Sequence, residues 1–578
     1  MSSASDIFAY EHSVEPSASE TLFSSKKWTY IQDSTSNTGQ YSGQIQLNLA
    51  SISSQAAFVN WEEAVIEIPV KLHILNGSTG PISSTTAANI DQLIPKAGAW
   101  QFIDSVSVVI DGVTVQTNQT HENVNATFKA LTEWSAQDLQ KYGSTSTFAL
   151  DKWEPPVMAM PQTLDNVPTP AFMTSTNNIG EYGLSNTYLN TGALERSKFT
   201  GLAQSSGNLA FDVMGNSSNI SPIGKSQVYV APAGAVAAGA PFYVAHYIAT
   251  IKLRDICDYF KKCPMQKNVS GYIYINYNSS NTTLTTGASS AIAVSPGNLA
   301  NISNNMLFGN TCPVLYNFAS ATASAALSGT SWTPTGLTVP ATTVLNITAD
   351  VNGTPASAGG LTPSQSFTRL LVPTYTPNPS ADHALSQRKT FRYFERMTNK
   401  FTVAAGQSFT YTLTNGVANP RKLFLQPIIT NPTAGATAAD VINPFRSPFS
   451  TVPATCSPFA SIKQLQVTVG NLPMFNNPVN FGYDMYVQEM AKSGVDGGLD
   501  DPTSAGLLSQ QLWESLYRFV PIDIGRRLPS EDGASKSIIV SGTNNTKYTL
   551  TVYYHVWRDV IASTDTSMGT FTQGAVQH

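Results

Sequence analysis

The chain has 578 residues, 12 % of them charged and 42 % hydrophobic, and 32 basic against 37 acidic side chains give a net charge of −5. That length fits two or three domains. Low charge without low hydrophobicity excludes a disordered chain, and the mild acidity argues against a protein that coats nucleic acid by bulk electrostatics. Ser, Thr, Asn and Gln carry the polar share, and with 39 Gly, 34 Pro, 23 Tyr and 26 Phe the composition reads as mostly β.

Through Trp28 the N-terminal stretch carries Asp6, Glu11, Glu15 and Glu20 against Lys26 and Lys27, so there is no basic arm. The opening MSSASDIFAYEH has neither the basic nor the apolar region of a secretory signal. The first strong β signals are SGQIQLNL (42–49) and AVIEIPV (64–70). Ile103 to Ile110 then alternates in period 2 and turns at Asp111-Gly112 into Val113 and Val115, a hairpin signal because type I′ turns need positive φ. One helix is expected over Ala126–Tyr142, with Phe128, Leu131, Ser135, Leu139 and Tyr142 along one stripe. Val228–Ile251 is the longest charge-free apolar stretch; Pro232, Pro241 and its many Ala and Gly make it a loop feeding a strand, and no membrane span is expected. LRDICDYFKK (253–262) suits two helical turns, and GYIYINY (271–277) and FTRLLVPTY (367–375) suit strands. Asp501-Pro502 suits a helix start, ahead of Leu508, Leu512, Leu516 and Phe519 at helical spacing. Near the C-terminus Tyr548, Leu550, Val552, Tyr554 and Val556 line one strand face, with Thr549, Thr551, Tyr553, His555 and Trp557 on the other.

These elements repeat. A shift of 359 residues places Ile103, Val106, Val108, Ile110, Val113 and Val115 on Ile462, Leu465, Val467, Val469, Leu472 and Met474. A short helical segment follows each hairpin, HENVNATFKALTEWS in one and NFGYDMYVQEMAKSG in the other. Upstream, AVIEIPV matches KLFLQPII (422–429), Pro69 on Pro427, and SGQIQLNL matches GQSFTYTL (406–413). Four elements in one order point to a duplicated β domain. Between the copies, Asp350 is the sole charged residue from Ser279 to Gln365. This reads as an ordered neutral loop insertion, with Leu337, Val339, Val344, Leu345 and Ile347 forming short strands.

No phosphate-binding loop, dinucleotide fingerprint, zinc-protease helix or nucleophile elbow is present. Cys257, Cys263, Cys312 and Cys456 fit no metal or redox spacing and read as free thiols. The seven histidines, His12, His73, His121, His246, His383, His555 and His578, stand singly, and Asp496, Asp500 and Asp501 do not follow a calcium-loop pattern. Glu62, Glu63 and Glu67 offer no paired-carboxylate geometry. No catalytic residue, cofactor or metal is therefore expected. The one basic cluster is RKTFRYFERMTNK, where Arg388, Lys389, Arg392, Arg396 and Lys400 interleave with Phe391, Tyr393 and Phe394. Such a strand can contact single-stranded nucleic acid weakly, or it can turn its aromatics to the core and its bases to solvent.

The passages WEEAVIEIPV, FIDSVSVVIDGVTVQT with ALTEWS, IKLRDICDYF leading to GYIYINYN, and FTRLLVPTYTPNPS resemble the double jelly-roll major capsid proteins of Polinton-like viruses and virophages. The resemblance implies an all-β tandem jelly roll with a few short helices and large loop insertions: an extension over 1–25, a first jelly roll over 26–380 with a neutral tower over 279–366, and a second over 381–578. It implies a structural, non-enzymatic protein that trimerises into pseudo-hexameric capsomers of an icosahedral virion shell, made in the host cytoplasm or nucleus. Its partners would be copies of itself, penton and minor capsid proteins, and a packaged, double-stranded DNA genome touched only weakly. No basic arm is present of the kind often found in single-jelly-roll capsids of small single-stranded viruses. That alternative remains beside two others, a β-sandwich binding protein or adhesin and a β-rich glycosidase, the last of which would need two carboxylates about 5–10 Å apart.

Overall fold

The computed structural model describes residues 22–41, 43–55, 57–84, 92–95, 98–150, 153–154, 189–190, 227–231, 234–277, 280–286, 299–302, 313–316, 337–338, 343–356, 363, 365–430, 460–491, 506–525, 529–531, 533–546 and 548–574. Eight strands build a first sandwich: β1 (Phe23–Gln32), β2 (Gln44–Asn48), β3 (Val65–Asn76), β4 (Ile103–Ile110), β5 (Val113–Gln119), then, after an edge strand β6 (Gln227–Val230), β7 (Pro241–Lys252) and β8 (Gly271–Tyr277). The insertion contributes β9 (Ser280–Thr286), β10 (Leu299–Ile302) and β11 (Thr343–Val351) before the eighth sandwich strand, β12 (Arg369–Pro377). The second sandwich is β13 (Arg388–Val403), β14 (Ser408–Ala418), β15 (Pro420–Thr430), β16 (Ile462–Val469), β17 (Leu472–Pro473), β18 (Val520–Asp523), β19 (Ser535–Asn544) and β20 (Thr549–Asp565), with β21 (Phe571–Gly574) on the edge of β20.

Strand order defines the class. In the first set β1-β12-β3-β7 form one sheet and β2-β8-β4-β5 the other; in the second, β13-β20-β15-β18 face β14-β19-β16-β17. Numbered by position in its own set, each sandwich runs 1-8-3-6 over 2-7-4-5. That order is a jelly roll of two Greek keys, so the fold is a double jelly roll.

Period-2 patterning builds both cores. Ile66, Ile68, Val70, Leu72 and Ile74 of β3 face Ile45, Leu47, Val106, Val108, Ile273 and Ile275 of the opposite sheet in one buried cluster. In the second, Leu423, Leu425, Leu550, Val552 and Val556 face Leu465, Val467, Ile538 and Val540. Both hairpins turn as their residues require, Asp111-Gly112 with φ of 49° and 75° and Gly470-Asn471 with φ of 54° and 71°. The duplicated strands correspond, but the proline-on-proline match is one residue off in facing. Pro69 shares the outward parity of Glu67 and Lys71, whereas Pro427 shares the inward parity of Leu423 and Leu425.

Several local expectations are corrected. The single helix over 126–142 is two, α1 (Glu122–Glu133) and α2 (Ala136–Tyr142), because Ser135 starts a new helix by accepting from Asp138 N in a reciprocal capping box. LRDICDYFKK forms α3 (Leu253–Ile256) and α4 (Tyr259–Lys262), interrupted at Cys257, whose backbone is extended. Val228–Ile251 holds two antiparallel strands, β6 and β7, rather than a loop and one strand. α5 (Tyr483–Ala491) follows the second hairpin, and α6 (Gln510–Ser515) is capped by Ser509 and ends before Leu516. The Asp501-Pro502 start, Asp496, Asp500, Cys312, Cys456, His12 and His578 lie outside the described residues. Within the insertion, Val344, Leu345 and Ile347 lie on a strand as expected. That strand, β11, pairs with β3 from Asn76 to Val70 and widens the first sheet.

Candidate functional site: the junction between the jelly rolls

Helix α1 fills the seam between the two sandwiches. Glu122 through Thr132 are all buried, on every side of the helix. A short helix can be buried this way only if its polar side chains are satisfied locally. Thr127 Oγ1 donates to Asn123 O at 3.0 Å and accepts from Trp100 Nε1 at 2.6 Å, and Thr132 Oγ1 donates to Phe128 O at 2.9 Å. Lys129 Nζ reaches Arg254 O at 3.1 Å. Towards the second jelly roll the helix presents Phe128. Its ring lies 4.8 Å from Phe424, 5.2 Å from Phe519 and 5.1 Å from His555, the last stacked at 18°. Tyr259 of α4 adds a second aromatic contact, against Phe391, Tyr393 and Phe571.

A buried ion pair crosses the seam. Arg396 Nη2 of β13 donates to both carboxylate oxygens of Glu122, at 2.6 and 2.7 Å, and to Ile256 O at 3.1 Å. The two residues are 3 % and 2 % exposed. Burial pushes the Glu122 carboxyl upward, and the Arg396 guanidinium opposes that shift. Beside it Phe394 N donates to Asp258 Oδ2 at 2.8 Å, and Thr117 Oγ1 donates to Glu395 Oε1 at 3.2 Å, with Arg558 also paired to Glu395. His555 is fully enclosed and pushed down to about 3 by burial, then by Arg396 and His121. Cys257 is raised to about 12 by burial, which leaves its thiol unreactive.

The basic cluster is thus divided. Arg388, Lys389 and Arg392 are exposed at the start of β13, where Arg388 also donates to Ser563 and Thr572. Arg396 is sealed in the seam and Lys400 is half-buried, its ammonium 5.9 Å from the Tyr553 ring. Position along the strand explains the split: Arg388, Arg392, Arg396 and Lys400 share one face, and α1 covers that face where the even positions from Phe394 to Lys400 pair with Asp559, Trp557, His555 and Tyr553. Phe391 and Tyr393 pack across the seam on Tyr259 rather than into the second jelly roll's own core. Glu62, Glu63 and Glu67 disperse into separate pairs with Arg254, Lys26 and Arg369. The histidines do not all stand alone: His73 and His246 share one face of the sheet formed by β3 and β7. No group of three His, Cys, Asp or Glu among the described residues is placed to hold a metal, and no described helix is long and apolar enough to cross a membrane.

On the equivalent outer face of the first jelly roll no equivalent helix lies among the described residues. Trp28 and Tyr30 of β1 stand there 54 % and 56 % exposed, beside half-buried Leu371 and Tyr375. Lys26 Nζ lies 5.4 Å from the Trp28 ring and 5.2 Å from the Tyr375 ring.

The double jelly roll is the architecture of several solved viral coats. No protein-family model and no curated protein matches this chain. Among solved structures, the cryo-EM structure of the Sputnik virophage is similar at 12 % identity and TM-score 0.47, over 96 % of this chain and 90 % of that one. The mavirus major capsid protein is similar at 12 % identity and TM-score 0.46, over 100 % and 95 %. The Faustovirus major capsid protein is similar at 9 % and 0.43, over 97 % and 94 %.

Proposed function

We propose that this chain is the major structural subunit of an icosahedral virus shell, three copies closing into a pseudo-hexameric capsomer. The observation that carries this reading is the mismatch between the two jelly rolls. Helix α1 is buried on the outer face of the second jelly roll's sheet β13-β20-β15-β18. Its topological equivalent α5 is half-exposed, with Asp484 and Gln488 in solvent and Tyr486 the one buried residue from 483 to 490. The first jelly roll's sheet keeps Trp28 and Tyr30 exposed. An uncovered helix face and an uncovered sheet face on one chain make a heterologous contact, which generates a ring when the rotation closes. Three chains of two jelly rolls give six similar positions. A 12 % charged composition lowers the desolvation cost of such faces.

In this reading 1–25 is an extension, 26–380 and 381–578 are the two jelly rolls, and 279–366 is an outward tower. The role is structural, in the virion, with synthesis in the host cell. The genome is double-stranded DNA, touched weakly and through Arg388, Lys389 and Arg392 alone, because Arg396 is sealed in the seam. Penton and minor capsid proteins complete the shell. Light scattering with negative-stain imaging tests the reading: the purified chain is expected at three times 61.9 kDa, and Trp28→Ser with Tyr30→Ser to run as a folded monomer. A wild-type chain that stays monomeric at high concentration overturns it.

A further inference from the structure

On the outer face of the first jelly roll's larger sheet, β7, β3 and β11 bring distant residues together. His246 lies opposite Lys71, which lies opposite Asp350; in the neighbouring row His73 lies between Val244 and Thr348. Residues two apart on a strand share a face, so His246, Lys71, His73 and Asp350 form one polar patch. His246 is 2 % exposed, and neither ring nitrogen has a hydrogen-bond partner. A buried imidazole left unpaired costs free energy when neutral and more when charged.

The chain leaving β11 lies against this face. Asn352 N extends the β11–β3 ladder by one rung to Pro69 O at 3.0 Å; beyond it Gly353 N donates to Gly39 O at 2.9 Å, and Ala356 packs on the face at Val244, two residues from His246. Little room is left for another path: a Cβ on Gly353 would stand 2.1 Å from Ser366 O.

We propose that segment 352–356 is an acid-released latch, which protonation of His246 and His73 beside Lys71 drives off the sheet to free the base of the 279–366 insertion. It concerns the single chain and stands apart from the capsid reading. The titratable groups facing His246 are Lys71 and His73 on β3, Asp350 on β11 and Tyr229 on β6, and the latch itself adds no charge. At neutral pH one lysine faces one carboxylate. With both imidazoles charged, three cations share the patch with Asp350, whose carboxyl burial pushes upward, so it offsets them less as pH falls. Burial, then Lys71, holds His73 and His246 down to about 4 from the ordinary 6.5. A depressed folded-state value keeps the latch fully closed above pH 6.5. Closure weakens as pH falls from 6.5 towards 4, by up to about tenfold per pH unit for each histidine.

Hydrogen exchange on the full chain between pH 7.5 and 4.5, corrected for intrinsic rates, tests this. Protection at Asn352 and Gly353 is expected to fall at least about tenfold while β20 stays protected. His73→Gln with His246→Gln is expected to flatten that fall. Should the double variant not fold, His73→Gln alone, at a half-buried position, is expected to make it shallower. Flat protection in the wild type, an equal fall in the variants, or a fall shared with β20 overturns the latch.

Discussion

Helices α1 and α5 hold the same place in the two jelly rolls, each following the turn of a β hairpin, and they live in different surroundings. α1 has a sheet on one side and its own jelly roll on the other, so Glu122 to Thr132 are all buried. Among the described residues α5 packs on its own jelly roll: the Tyr483 and Tyr486 rings lie tilted against Trp513 at 5.9 and 5.5 Å, and Glu489 accepts from Asp523 N at 2.9 Å. The sequences follow the surroundings. In ENVNATFKALTE Thr127 and Thr132 bond the helix's own carbonyls while Glu122 and Lys129 are held by Arg396 and by Arg254 O, whereas YDMYVQEMA keeps Asp484 and Gln488 for solvent. The same topology is thus tuned once for an interface within the chain and once for a face still open.

The largest effect expected from breaking this difference is at the seam's ion pair. Arg396→Met leaves the Glu122 carboxylate buried without its cation, and the loss of stability in urea unfolding is expected at about 3–5 kcal/mol. Glu122→Leu added to Arg396→Met removes the orphaned charge and is expected to recover most of it. A double variant as unstable as Arg396→Met would mean that the pair matters for shape rather than charge.

The next effect is a pH dependence. His555 is neutral in the seam, between Thr398 Oγ1 at 3.0 Å and the Phe128 ring. Its folded value of about 3 lies below the ordinary 6.5, so its contribution is complete above pH 6.5 and is lost as pH falls towards 3, at up to about 1.4 kcal/mol per pH unit. Urea midpoints measured from pH 7 to 4 are expected to fall, and His555→Gln to flatten part of that slope. His121, held at about 4 by burial and Lys400, contributes in the same direction.

What was legible in the sequence was what period and turn chemistry encode locally. The β20 faces read correctly because Leu550, Val552 and Val556 alternate strictly with Tyr553, His555 and Trp557. The hairpin read correctly because Asp111-Gly112 suits positive φ. The repeat was visible because both copies keep that hairpin. The seam was not visible. Arg396 looks like one more surface base until Glu122, 274 residues away, is placed against it. His73 and His246 looked solitary for the same reason, since only the pairing of β3 with β7 brings them to one face. The break at Ser135 did carry a signal, a serine with an acidic residue three positions on, that the apolar stripe outweighed.

A smaller effect tests that break. Ser135→Ala removes the acceptor for Asp138 N, held at 3.1 Å, and about 1 kcal/mol of stability is expected to go with it. Asp138→Asn, which keeps a side-chain acceptor for the Ser135 N–H, is expected to cost less.

The smallest folding effect is expected where the proposed assembly effect is greatest. Gln488 lies on the open side of α5 and Asp484 one turn before it, both exposed. Surface substitutions away from caps and buried partners usually change stability within about ±0.5 kcal/mol, so Gln488→Arg is expected to leave the urea midpoint of the dissociated chain where it is. The same substitution places a long cation on the face held to meet Trp28 and Tyr30 of a neighbour, whose edge already carries Lys26. Like charge at an interface weakens association, so light scattering is expected to show the trimer giving way to monomer at dilutions where the wild type holds. Arg at 488 with both midpoint and trimer unchanged would move the contact away from α5. The pairing of the two open faces would then have to be sought on the 2-7-4-5 sheets instead.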